Sequence, residues 1–246
     1  MFTTSSIEHV STYPVLKCAQ GAQPALQGVS VQAAITGWLM QTSLRQNYVN
    51  DTHDELELTY TFPLAYGMVL LGMNLDINDQ RLHAQVLPKN NAQFKYEAAI
   101  ESGNTPVLVE ASGNGTYTAN LGNLKPGEKA CIEIIVGQAL SLEQGRVRVT
   151  VPTVIAPKYV DAIQDGGLQA HQTFDTRIDV EYTFDIEVTI KGDLAKGEIG
   201  SPSHLISTQV DDDTTIVRLQ DTEHLDRDFV LTISDLAQDC AAVCAP

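Results

Sequence analysis

The chain has 246 residues, 43% of them hydrophobic, so one large β domain or two smaller ones can bury a core without a metal or a disulfide framework. Its 31 acidic residues against 15 basic ones give a formal net charge of −16. That balance excludes nucleic acid and anionic membrane as natural partners, because each phosphate contact needs a positive charge that is scarce here.

Residues 1–25 contain Ser, Thr, Gln, Pro and Gly without periodicity and read as an N-terminal arm. Met1 to Val15 has neither the basic start nor the apolar run of a secretory signal, and nothing predicts membrane insertion. The reading is a cytoplasmic protein, with secretion as the alternative. From Val31 the strands begin. Val31, Ala33 and Ile35 share one face, and Trp38 falls on the opposite parity, which makes it a possible contact residue, although the favoured reading packs it beneath the helix or against the N-terminal arm. Leu56, Leu58, Tyr60 and Phe62 alternate with Glu55, Glu57, Thr59 and Thr61, the pattern of a half-buried antiparallel strand.

Between Asn91 and Ser102 the spacing predicts the single helix. Ala92, Tyr96, Ala99 and Ile100 form its apolar stripe, and Gly103 stands at its end. Phe94 lies off that stripe and is a second possible contact residue. Leu108–Ser112 and Thr116–Leu121 flank Gly113-Asn114-Gly115, a hairpin signal, and Lys125-Pro126-Gly127-Glu128 predicts a tight turn into a further strand. Ala130, Ile132, Ile134 and Val136 alternate in that strand, where Cys131 is expected as a buried reduced thiol. Val147, Val149 and Val151 repeat the pattern.

A polar stretch over 161–167 is a candidate boundary. After it, Ile178, Val180, Tyr182, Phe184, Ile186, Val188 and Ile190 alternate with Asp179, Glu181, Asp185 and Glu187, so a long strand carries an acidic face. Shorter strands follow at Leu205–Val210, Thr214–Leu219 and Asp228–Ile233. The fold class is all-β, mainly an antiparallel β-sandwich, with one short helix packed on a sheet.

No motif carries catalysis. Phosphate loops, a nucleophile elbow and a zinc helix are all missing from the sequence. Ser203-His204 is a Ser-His pair, but neighbours along a strand point to opposite faces, which argues against a nucleophile and its base. Asp211-Asp212-Asp213 reads as an acidic hairpin turn, since no Gly or distal Glu of a calcium loop follows. Cys240 and Cys244 have ligand-like spacing without a second pair or a flanking His. No cofactor and no metal are predicted.

Several segments together resemble the VIT domain, the vault and inter-alpha-trypsin-inhibitor module. They are Tyr48-Val49-Asn50, Tyr60-Thr61-Phe62-Pro63-Leu64, the Lys95–Gly103 helix, Leu121–Glu128 and Val151–Tyr159, in the family's order from about Val29 to Tyr159. Ser201–His204 and Asp226–Leu231 look like the segment that leads from a VIT domain towards a von Willebrand A domain. The resemblance implies a VIT-type sandwich over 26–160 and a second β segment over 161–246. It also implies that the von Willebrand A domain, with its Asp-x-Ser-x-Ser metal motif, lies beyond this chain.

The function read from this is a non-catalytic protein–protein interaction and scaffolding module. Its partner is another protein or an adjacent von Willebrand A domain, and Trp38, Phe94, Asp179, Glu181, Asp185 and Glu187 form the possible interaction surface. The alternative is a lectin-like or adhesive sandwich that binds glycan or extracellular matrix. An enzyme ranks third.

Overall fold

The structure is a computed structural model that describes residues 15–18, 24–65, 67–77, 80–88, 108–111, 115–151, 183–220 and 228–236. The helix predicted over Asn91–Ser102, with Tyr96, lies outside the described residues, as do Cys240 and Cys244.

In chain order the strands are β1 (Val15–Cys18), β2 (Ala25–Thr36), β3 (Leu39–Val49), β4 (Leu56–Pro63), β5 (Met68–Ile77) and β6 (Gln80–His83). Next come β7 (Gln85–Pro88), β8 (Leu108–Ala111), β9 (Thr116–Leu124), β10 (Lys129–Ala139), β11 (Leu142–Glu143) and β12 (Arg146–Val151). After residue 182 follow β13 (Thr183–Lys191), a 3-10 turn (Gly192–Lys196), β14 (Glu198–Gly200), β15 (Ile206–Asp211), β16 (Thr214–Leu219) and β17 (Phe229–Ser234). The architecture is all-β and mostly antiparallel.

Three sheets share one core. An eight-stranded sheet runs β15-β16-β13-β2-β3-β10-β5-β6, a five-stranded sheet runs β1-β4-β9-β8-β7, and a four-stranded sheet runs β11-β12-β17-β14. Alternation decides which side chains go inside. Val29, Val31, Ala33 and Ile35 of β2, Ala130, Ile132 and Ile134 of β10, and Phe184, Ile186, Val188 and Ile190 of β13 all face the core of the large sheet. Leu56, Leu58, Tyr60 and Phe62 meet them from β4, and Phe229, Leu231 and Ile233 complete the core from β17.

Two pairings tie the late strands to the early ones. β13 lies parallel to β2 over nine positions, from Thr183 opposite Gly28 to Lys191 opposite Thr36, while its other edge pairs antiparallel with β16. β17 pairs with β12 from Val147 opposite Ile233 to Val151 opposite Phe229. Residues beyond 182 therefore complete sheets that the first 151 residues begin.

The Lys125–Glu128 turn forms, and the strands on either side of the predicted 113–115 turn pair as expected. β8 and β9 pair antiparallel around the predicted hairpin, with Val109 opposite Ala119. At Lys125–Glu128 the Glu128 amide donates to the Lys125 carbonyl at 3.0 Å, and Gly127 takes φ +76°, a value at which a Cβ would be strained. β15 and β16 close through the acidic turn, with Asp211 opposite Thr214 and Asp212 at φ +46°. There Lys196 pairs with Asp213 at 3.4 Å.

Candidate functional site

Two faces of the large sheet have different chemistry. On the inner face Gln46 is fully buried, and its Oε1 accepts hydrogen bonds from Tyr48 Oη at 3.0 Å and Tyr60 Oη at 2.8 Å. Because Tyr60 stands on β4 while Gln46 and Tyr48 share β3, the Tyr60 bond joins the two sheets through the core. Burial pushes the Tyr60 phenol far above its usual range, with the Gln46 bond acting weakly in the opposite sense.

Asn50 closes the adjoining loops. Its Nδ2 donates to the carbonyls of Asp54 and Leu124 at 2.8 Å each, and its Oδ1 accepts from the Thr52 amide and hydroxyl. Its backbone carbonyl accepts from the Gly127 amide at 2.7 Å. The Tyr48-Val49-Asn50 and Leu121–Glu128 segments thus meet at one buried amide.

The outer face is the candidate site. Strand register lays His83, Asn74, Glu133, Arg45, Ser30 and Asp185 in one row across six strands from β6 to β13. Glu133 is only 7% exposed, yet every direction around its carboxylate is filled by a donor. Oε1 accepts from Ser43 Oγ at 2.8 Å and Arg45 Nε at 3.1 Å; Oε2 accepts from Asn74 Nδ2 at 2.7 Å and from Arg81 Nη2. Arg81 also reaches Asp76 at 3.3 Å. Asn74 Oδ1 can only accept, so His83 donates from Nδ1 at 2.7 Å.

Burial alone would raise the Glu133 pKa. The Asn74 and Ser43 hydrogen bonds together with the Arg45 and Arg81 charges outweigh it and hold the carboxyl below its usual range. Such a group stays ionised and has its lone pairs occupied, which suits a fixed, ordered surface rather than proton transfer. Apolar side chains stand at one end of the same face. Val69 lies opposite Gly137, Leu71 folds over Gly137, and Leu39 lies opposite Ala139. Leu39, Val69 and Leu71 are all more than half exposed around these two small residues.

The residues anticipated from sequence are not all here. Asp185 is exposed on the outer face of β13. Glu187 stands two positions along on the same face, but its carboxylate is held by Arg218 at 2.7 Å, so this part of the acidic face is neutralised. Trp38 sits in the β2–β3 turn, partly buried against the core, and its carbonyl accepts from the Leu140 amide at 2.8 Å. Phe94, Asp179 and Glu181 lie outside the described residues.

Two expectations are corrected. Cys131 is a free thiol but only half-buried, because its odd position puts it on the outer face beside Glu133 rather than in the core with Ala130 and Ile132. Burial pushes its pKa up, against the pull of Arg45. Ser203 and His204 do not point apart: His204 Nδ1 lies 2.8 Å from Ser203 Oγ. They occupy a bend rather than a strand, and Ser203 Oγ also accepts from the Val230 amide at 2.8 Å while the His204 ring packs on Phe229. The pair anchors this bend to β17.

Glu133, Asn74 and Gln46 were missed by sequence reasoning. Among the described residues no group of His, Cys, Asp and Glu is placed to hold a metal, and no helix is long and apolar enough to cross a membrane.

Residues 26–136 match the family model described as the Vault protein inter-alpha-trypsin domain. Human von Willebrand factor A domain-containing protein 5A is 27% identical over 216 residues, 85% of this chain and 28% of that protein. The human protein mono-ADP-ribosyltransferase PARP4 is 26% identical over 219 residues, 88% of this chain and 13% of its own length. The chain thus spans about a quarter or less of these two relatives. Among solved structures, an M1 zinc metallopeptidase mutant from Deinococcus radiodurans aligns at TM-score 0.45 and 12% identity, covering 85% of this chain and 42% of that one. Likeness at that level transfers no chemistry. The matched residues run from β2 into β10, the strands that carry Glu133, Asn74 and Gln46, and residues 26–136 are a vault protein inter-alpha-trypsin (VIT) domain.

Proposed function

We propose that this chain is the non-catalytic interaction and scaffolding module of a protein of the VIT and von Willebrand A type, and that its outer sheet face docks the von Willebrand A domain. The observation that supports this reading most is the composition of that face. A locked polar row centred on Glu133 gives a rigid floor, and exposed Leu39, Val69 and Leu71 beside it supply the apolar contact that interface cores use. Relatives named for a von Willebrand A domain favour that domain as occupant over an unrelated protein. Asp185 and Glu187, on the same face of β13, form the charged rim of this proposal, where charges govern association rate more than affinity.

Calorimetric titration of the chain with the von Willebrand A domain of the human relative tests it. Binding should weaken at least about tenfold in Val69→Asp and Leu71→Asp, since each buries a charge at the contact. Binding unchanged by both substitutions would remove the outer face from the interface.

A lectin-like reading has one feature in its favour. A shallow depression of about 480 Å³ lies over Ser30, Gln32, Asp185, Glu187, Arg218 and Gln220, whose polar groups could hydrogen-bond a sugar. A glycan array without hits would eliminate it.

A further inference from the structure

We propose that the open edge of β15 pairs antiparallel with β15 of a second copy of this chain, about a two-fold axis at Thr208. This inference is independent of the outer-face proposal.

Among the described residues six strands end the three sheets, and five of them are short, charged or broken. β11 and β14 have two and three residues, β1 and β7 have four, β7 finishes in Pro88, and β6 exposes Arg81 and His83. Such features discourage strand addition. β15 differs: Ile206-Ser207-Thr208-Gln209-Val210 has no charge, no Pro and no bulge, and among the described residues no strand pairs with its outer edge.

Hydrogen-bond parity shows which backbone groups that edge presents. The Gln220 amide donates to the Leu205 carbonyl at 3.0 Å, and Asp211 and Thr214 close the hairpin at the other end. The odd residues of β15 therefore bond to β16, while the N–H and C=O groups of Ile206, Thr208 and Val210 point away from it. An axis at Thr208 sets these same residues against one another: Thr208 faces its own copy, and Ile206 of each chain faces Val210 of the other. All three are then hydrogen-bonded pairs, giving about six inter-chain bonds.

The side chains complement one another in the same register. Val210, 69% exposed in the monomer, gains an apolar neighbour in Ile206, and Ser207 lies opposite Gln209. Charge selects the direction. Parallel pairing would stack the two Asp211-Asp212-Asp213 turns, whereas antiparallel pairing separates the two Asp211 residues by six residue steps, about 20 Å at 3.4 Å per residue. That exceeds a Debye length of about 8 to 10 Å at physiological salt.

A seam this short belongs to the weak class of association, so the test is sedimentation velocity of the full chain over a concentration series reaching the millimolar range. The expected result is a shift from 26.7 kDa towards twice that mass. Thr208→Pro removes an edge-facing N–H without touching the β16 ladder and should raise the dissociation constant at least about tenfold with the far-UV spectrum unchanged. Thr208→Lys, which sets two ammonium groups together at the axis, should do the same, and it decides the matter if the proline variant fails to fold. A chain that remains monomeric throughout overturns the proposal. So does a dimer whose dissociation constant is the same in the wild type and in the folded variants.

Discussion

Glu133 shows how much of this surface depends on one side chain. Removing its carboxylate in Glu133→Ala leaves Arg45, Arg81, Asn74 and Ser43 without their common acceptor, and because both arginines remain about 40% exposed the cost should be about 2 kcal/mol rather than the larger figure for a fully buried pair. The pH dependence has a fixed sign. A carboxyl whose folded pKa lies below its unfolded value stabilises the fold above the unfolded pKa of about 4.3, and the contribution disappears as pH falls through the folded value. Urea melts of wild type and Glu133→Gln should therefore differ at pH 7 and converge in strong acid; a gap that widens as pH falls would show that the carboxyl is not held ionised. None of this was visible in the sequence, since Glu133 sits one residue from core positions in an alternating run. Its partners lie 52 to 90 positions away, and only strand register brings them together. Leu56, Leu58, Tyr60 and Phe62, by contrast, were legible as a buried face because period-two alternation is local.

Element pairing was legible to a similar, limited extent. Turn residues are local signals, as around Gly115 and at Pro126-Gly127, so the β8–β9 hairpin and the tight turn that carries the chain from β9 into β10 of the larger sheet could be anticipated. The parallel β13–β2 pair could not, because its two strands are joined by more than a hundred residues and no turn chemistry specifies it. Gly197 provides an element-level test of the return from β13 to the four-stranded sheet. A Cβ there would come within 2.7 Å of both Ile233 Cγ2 and the Ser234 carbonyl, and a backbone atom of a paired strand cannot easily move aside. Gly197→Ala should cost about 1 to 3 kcal/mol through this overlap. Its φ of −72° is ordinary, so an unchanged melting temperature would mean that β14 and β17 separate more readily than their pairing implies.

At the level of the whole chain, the sequence reading divides it near residue 160, while the sheets interleave strands from both sides of that point. β13 stands between β2 and β16, and β17 between β12 and β14, so β2 and β12 each depend on a late strand for one edge. The described elements should therefore unfold together. Trp38 fluorescence reports the β2–β3 turn and far-UV dichroism reports the β-sheets, and their urea transitions should coincide; a separate early transition in one signal would show two independent units. The VIT match over 26–136 and the relatives named for a von Willebrand A domain give this platform its expected context. The proposed docking surface is the outer face of the eight-stranded sheet. Methyl NMR spectra of the chain titrated with the von Willebrand A domain of the human relative test that claim most directly. Shifts or broadening are expected at Leu39, Val69 and Leu71 while Val29 and Val31 on the core face stay unchanged. Saturable binding that leaves the Leu39, Val69 and Leu71 methyls unmoved would contradict it.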